Sequence, residues 1–116
     1  MSQIKNPKYQ IYTGKNGKFY FRLNAKNGQP VLSSQGYADK KGCKNGIESV
    51  RKNGPLQERY ELKTATNGKF FFNLLAGNKQ IIGSSQMYAS QAARSKGIAS
   101  IQANCDSHVE DQTLSA

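Results

Sequence analysis

Shifted by 51 residues, this chain aligns with itself. Lys8–Asn53 matches Arg59–Asn104 without a gap, and 20 of the 46 pairs are identical. The identities include Tyr9/Tyr60, Asn16-Gly17-Lys18-Phe19/Asn67-Gly68-Lys69-Phe70, Ser33-Ser34-Gln35/Ser84-Ser85-Gln86 and Gly46-Ile47/Gly97-Ile98. A period of this length means that one supersecondary unit is written twice. A unit of about 50 residues buries too little surface to be comfortably stable alone, so the two copies must share a core.

Each copy carries the same local signals. Tyr9, Ile11 and Thr13 alternate with Lys8, Gln10 and Tyr12, the period of a half-buried strand. Asn16-Gly17 follows, a pair that accepts positive φ at both central positions of a tight hairpin. The next strand puts Phe19, Phe21, Leu23 and Ala25 on one face and Lys18, Tyr20, Arg22 and Asn24 on the other. Its copy places Phe70, Phe72, Leu74 and Ala76 inward and Lys69, Phe71, Asn73 and Leu75 outward. Asn27-Gly28 marks a second turn, and Gly77-Asn78 is expected to take that role one residue earlier in the copy. A third strand covers Val31–Ser34 and Ile82–Ser85, with Pro30 at its entry, where a missing N–H does least harm.

The period then becomes helical. Asp39 and Ser90 are N-caps, and Ile47 with Val50, or Ile98 with Ile101, share a face. Asn53 followed by Gly54 is expected to end the first helix in the left-handed conformation. Glycine inside a helix costs about 1 kcal/mol against alanine, so Gly46 and Gly97 need a reason. Gly42, Gly46, Ser49 and Asn53 form one stripe and Ala93, Gly97, Ser100 and Asn104 repeat it, at spacings that share a helix face. Such a seam permits close approach of another element, and packing is the expected use.

These motifs, with Phe19-x-Phe-x-Leu, Ser33-Ser34-x-x-Tyr37 and Asn45-Gly46-Ile47-x-Ser49-Val50, resemble the YegP-like family over nearly the whole chain. Its members are small, mostly bacterial proteins of unknown function. Lys96 replaces the Asn of the helix motif in the second copy. The resemblance implies two β(3)-α-β units in one sheet with exchanged last strands, which would be Leu56–Glu58 running into Tyr60 and the segment around Ser107–Val109. The expected fold is therefore α+β: one mainly antiparallel sheet with two helices packed on it and pseudo-twofold symmetry. It forms a single domain over 1–116, with repeats over 8–58 and 59–110 and a disordered tail over 111–116. The tandem repeat supplies its own pseudo-dimer, so a monomer suffices.

Nothing in the chain makes a catalytic set. His108 is the only histidine and lies among Asp106, Glu110 and Asp111, without fixed metal geometry. Asp39 is used as a cap, and no second acid pairs with Glu48, Glu58 or Glu61 for acid/base work. Gly14-Lys15-Asn16-Gly17 resembles part of a phosphate loop but stands between strands, where it is a hairpin turn. Cys43 and Cys105 are 62 residues apart, outside any metal or redox spacing, and Cys43 reads as a buried thiol. The start lacks the apolar core of a secretion signal, and no apolar run spans a bilayer. The expectation is a cytoplasmic non-enzyme with no cofactor, metal or membrane partner.

Seventeen Lys and Arg against seven Asp and Glu leave a net charge of +10, which suits an anionic partner such as nucleic acid. The outward residues Lys18, Tyr20, Arg22, Lys69 and Phe71 would lie together if both second strands share one sheet. Cations interleaved with aromatics fit phosphate contact plus base stacking. A second candidate is a symmetry-related pair of small-molecule sites at Ser34/Tyr37 and Ser85/Tyr88, although serines at a strand exit also satisfy backbone groups.

Overall fold

The computed structural model describes residues 5–113. The first unit contributes β1 (Lys8–Thr13), β2 (Phe19–Asn24), β3 (Pro30–Ser34) and α1 (Lys40–Asn53). A single 3-10 turn, Gln57–Arg59, leads to the second unit: β4 (Tyr60–Thr64), β5 (Phe70–Leu75), β6 (Ile81–Ser84) and α2 (Gln91–Asn104). A last short strand, β7, covers Val109–Asp111. All seven strands form one sheet in the order β4-β5-β6-β3-β2-β1-β7. Every neighbouring pair is antiparallel except β1 and β7, which are parallel.

The pseudo-twofold axis can be located from residues that meet their own equivalents. Ser33 pairs with Ser84 at the centre of the sheet, and a Cβ on Gly54 would stand 3.0 Å from the Cβ of Cys105 at the helix ends. Both pairs differ by 51 in number, so the axis passes between them. Gly54 is in the right-handed helical conformation (φ −55°), contrary to the left-handed stop expected from sequence. It is small because the end of α1 meets the end of α2.

The inward-facing strand residues meet the helices in one core. Tyr9, Ile11, Phe21, Leu23, Phe72 and Leu74 are fully buried, with Cys43, Ile47 and Val50 of α1 and Ile98 and Ile101 of α2 packed against them. Each large side chain so buried stabilises by roughly 1.5–3 kcal/mol. The helices cross between units: α1 packs on β2 but also on β5 and β6, and α2 on β3 as well as β5. Tyr9 donates from its hydroxyl to the carbonyl of Cys105 (2.6 Å), and Tyr60 to that of Gly54 (2.7 Å). Each unit thus caps the other unit's helix.

Helix starts follow the sequence: Asp39 Oδ1 accepts from Gly42 N (2.7 Å) and Ser90 Oγ from Ala93 N (3.0 Å). Within the seam of small residues the two mid-helix glycines make room for a ring. A Cβ on Gly46 would stand 2.8 Å from Cζ of Tyr37, and one on Gly97 2.7 Å from Cζ of Tyr88. Each tyrosine ring is wedged between its helix glycine and a stacked phenylalanine, Phe21 at 6.3 Å or Phe72 at 6.4 Å.

The turns differ from expectation. In the first hairpin Gly17 has positive φ (79°) and Asn16 does not; Asn16 instead accepts through Oδ1 from Lys18 N. Gly14 N donates to Lys18 O to close the hairpin and Gly17 N donates to Gly14 O, the pattern of a type I turn with a bulge glycine. In the second turn of the copy, the bonds Ala76 N to Gln80 O and Lys79 N to Ala76 O keep the register of the first unit. Lys79, not Gly77 or Asn78, therefore takes the left-handed position (φ 70°) that Gly28 holds in the first unit.

The strand exchange is half complete. β7 crosses onto β1 of the first unit, with Tyr9 opposite Val109 and Ile11 opposite Asp111. Leu56–Glu58 forms no strand; the chain turns through Gln57–Arg59 straight into β4. Only six residues separate Asn53 from Tyr60, so the segment that must enter β4 cannot also lie beside it. Asp111, expected at the start of a disordered tail, belongs instead to β7, and Thr113 N donates back to Asp111 Oδ1. Residues 114–116 of that expected tail lie outside the described residues.

Candidate functional site

With both helices on one side, the other face of the sheet is open. Across its middle runs a polar row set by register: Gln10, Arg22, Ser33, Ser84, Asn73 and Glu61 are successive neighbours. Glu110 on β7 extends the row beyond Gln10. Arg22 Nε donates to Gln10 Oε1 (2.8 Å), and Gln10 Nε2 donates to Glu110 Oε1 (3.0 Å). At the other end Ser84 Oγ donates to Asn73 Oδ1 (2.6 Å) and Asn73 Nδ2 to Glu61 Oε1 (3.0 Å).

Aromatic and basic side chains flank this row. Tyr12 and Tyr20 are directly opposite on β1 and β2 and stack at 5.7 Å with their planes 17° apart. Arg22 lies over the Tyr12 ring at 4.7 Å, a favourable cation–π position. Two glycines make room for Tyr20: a Cβ on Gly14 would stand 2.6 Å from its Cε1, and one on Gly36 3.0 Å from its Cζ and from Lys18 Cδ. Lys18 is exposed and the tyrosines are partly exposed. In the second unit Phe71 stands opposite Lys63, with Lys69 exposed at the hairpin. Met87, at the position of Gly36, is 49% exposed.

The five residues expected to lie together form two groups instead. β2 and β5 are three strands apart, which is about 14 Å. They also run antiparallel about the axis, so Tyr20 and Phe71 lie diagonally from each other, on opposite sides of the polar row. Alternation fixes which residues face outward, but strand neighbours are set by contacts distant in sequence. Tyr12 and Lys63 belong to these groups although the sequence reading did not single them out. The signal for Tyr12 was present, since it faces away from Tyr9 and Ile11 across a hairpin from Tyr20.

Ser34, Tyr37, Ser85 and Tyr88 serve the fold in this structure. Ser34 Oγ accepts from Phe21 N (2.8 Å) and donates to Gln35 O (2.9 Å), and Ser85 Oγ repeats this with Phe72 N and Gln86 O. Tyr37 and Phe19 exchange backbone bonds, as do Tyr88 and Phe70. A shallow hollow of about 400 Å³ does lie on the axis, lined by Ser33, Ser34, Gln35 and their equivalents. Of the four serines lining it, Ser34 and Ser85 are committed to the backbone and Ser84 Oγ donates to Asn73 Oδ1.

Some of the remaining charge is structural. Lys8 pairs with Glu110 (3.1 Å) and Lys40 with Asp111 (3.0 Å), while Arg51 and Arg94 lie over Tyr9 and Phe70. The acidic end of the chain is thereby folded onto the more basic first unit. Burial pushes the Cys43 thiol up to about 11 and raises that of Cys105, so neither is a ready nucleophile. Among the described residues no group of three or more His, Cys, Asp or Glu could hold a metal ion, and no helix is long and apolar enough to cross a membrane.

Known proteins share this architecture. The family model described as a domain of unknown function (DUF1508) matches the chain twice, over residues 15–61 and 65–111. The UPF0339 protein YegP of Escherichia coli (strain K12) is 51% identical over 106 residues, covering 90% of this chain and 96% of that protein. A UPF0339 protein encoded in the ptx operon 5′ region of Stutzerimonas stutzeri is 56% identical over 94 residues, 81% of this chain and 85% of the relative. The solution structure of the E. coli protein of unknown function yegP matches with a TM-score of 0.89 at 47% identity, covering 99% of this chain and all of that one. That of a Shewanella oneidensis UPF0339 protein matches at 0.84 and 46%, over 89% of this chain and 88% of the other. The duplicated α+β architecture and these matches together make the chain a member of the YegP-like UPF0339 family, a tandem pair of DUF1508 units.

Proposed function

We propose that this protein is a non-enzymatic module that binds single-stranded nucleic acid across its open sheet face. The observation that carries the reading is the stacked Tyr12–Tyr20 pair with Arg22 over it, on a face that neither helix covers. Positive charge alone does not select this face, because Lys41, Lys44 and Lys52 are exposed on α1. The coincidence of aromatic faces with cations does. Tyr12, Tyr20 and Phe71 offer stacking surfaces for bases, and Lys18, Arg22, Lys63 and Lys69 meet phosphates. The diagonal placement of the two groups favours a strand laid obliquely across the sheet, over the hydroxyl and amide groups of the central row. Such a partner goes with a cytoplasmic protein whose two thiols stay reduced.

Fluorescence anisotropy of a labelled single-stranded oligonucleotide tests the reading. Four phosphate contacts give a slope of log K against log salt near −3, or about 50-fold weaker binding at 200 mM than at 50 mM salt. Lys18→Glu, Arg22→Glu and Lys69→Glu should each abolish most of the binding. Absent binding to RNA and single-stranded DNA, or binding indifferent to salt, would overturn it.

A further inference from the structure

Among the described residues the duplication covers the outer side of β1 but not that of its counterpart β4. β1 has β7 on its outer side, and Ile11 is fully buried there. The equivalent strand β4 has no outer neighbour among the described residues, and Leu62, the counterpart of Ile11, is 55% exposed. The cause is the short passage from α1 to β4. The residues equivalent to Val109–Asp111 are 58–60, and they are spent on the turn and the entry to β4 itself.

The unpaired backbone groups can be identified by the repeat. On β1 the outward-facing groups belong to Tyr9 and Ile11, since Tyr9 N donates to His108 O and Ile11 O accepts from Gln112 N. Tyr60 and Leu62 turn the same way on β4. Tyr60 N is held by Gln57 O, which leaves Leu62 as the natural centre for a new pairing. Unpaired strand edges are templates for another strand.

We infer that the edge of β4 docks β4 of a second copy of this chain, antiparallel and centred on Leu62. Three symmetric registers pair outward-facing groups with outward-facing groups. Centring on Leu62 sets Glu61 opposite the partner's Lys63 and Lys63 opposite the partner's Glu61. A slip of one residue toward either end centres the pairing on Glu61 or on Lys63 and sets like charges directly opposite, which is destabilising. The Leu62-centred register also buries the two exposed leucines against each other. Glu61 is already oriented by Asn73 Nδ2. The interface is isologous and closes as a twofold dimer, with both open faces on the same side of one continuous sheet. This inference stands whether or not the open face binds nucleic acid.

Sedimentation equilibrium of the full chain, without nucleic acid, tests it from about 10 μM to 1 mM, a range suited to a small edge contact. The unmodified chain should dimerise reversibly toward the upper end. Lys63→Glu and Glu61→Lys should each weaken the dimer about tenfold or more, by setting like charges opposite across the pair. Mixing those two variants should restore association as a heterodimer, and so should the exchange Glu61→Lys/Lys63→Glu within one chain. A chain that stays monomeric throughout would overturn the inference, leaving the edge to a foreign strand or to none. A dimer indifferent to both reversals would overturn it too, because another surface would then hold it.

Discussion

The hydroxyl of Tyr9 reaches the last turn of the other unit's helix and donates to the carbonyl of Cys105 at 2.6 Å; Tyr60 makes the equivalent bond to Gly54 at 2.7 Å. These two bonds, with the helix ends they cap, tie the units together more symmetrically than strand exchange does. Burial raises both phenol pKa values, so the hydroxyls stay protonated donors. Tyr9→Phe and Tyr60→Phe should each cost about 1–2 kcal/mol, because a buried carbonyl loses its partner. Urea unfolding followed by circular dichroism measures this.

The glycines at the centres of the helices are predicted to change sign with their neighbours. Gly97→Ala gains about 1 kcal/mol of helix propensity but drives a methyl into the ring of Tyr88, for a net loss of about 1–3 kcal/mol. In a Tyr88→Leu background the same substitution should be neutral or stabilising. The Tyr88 hydroxyl is buried without a hydrogen-bond partner, so Tyr88→Phe should cost less than about 0.5 kcal/mol.

Lys79 is a lysine in a position built for glycine. A left-handed conformation costs a side chain about 1–2 kcal/mol, and a glycine's freer unfolded chain gives part of that back. Lys79→Gly should therefore stabilise by about 0.5–1 kcal/mol. Gly28→Lys at the equivalent position should do the reverse, and thermal unfolding of both variants checks the pair.

What is legible in the amino-acid sequence and what is not divide along a physical line. The unit, its hairpins and both helices with their caps at Asp39 and Ser90 follow from signals within a few residues. The union of β3 with β6, the separation of Tyr20 from Phe71, and the bare edge at Leu62 depend on which strands meet. Periodicity carries no information on that. Lys79 escaped because Gly77 attracted the turn by composition, whereas the hydrogen bonds keep the register of the first unit. The reason for Gly46 and Gly97 was legible as a need for space, but the occupants, Tyr37 and Tyr88, come from outside the helices.

Acid should release β7 first. Hydrogen bonds from Gln10 and Lys8 hold the Glu110 carboxyl below its ordinary value. Burial opposes the charge of Asp111, but hydrogen bonds from Thr113 and Lys40 outweigh it and lower that pKa as well. Carboxyls depressed in the folded state stabilise it above the ordinary carboxylate range and lose that contribution as pH falls through the folded values. Below about pH 4 the Tyr9 and Gln112 amides, bonded to His108 O and Ile11 O, should lose hydrogen-exchange protection before the amides of β2. Simultaneous loss would mean that β7 is not a separable element.

The central claim, that the open face is the binding surface, is tested most directly by an amide chemical-shift titration of the labelled chain with a single-stranded oligonucleotide of about ten residues, within the site sizes typical of such surfaces. The account predicts shifts concentrated at Tyr12, Lys18, Tyr20, Arg22, Lys63, Lys69 and Phe71, with α1 and α2 unaffected. Shifts confined to the helices, or none at saturating oligonucleotide in low salt, would contradict it.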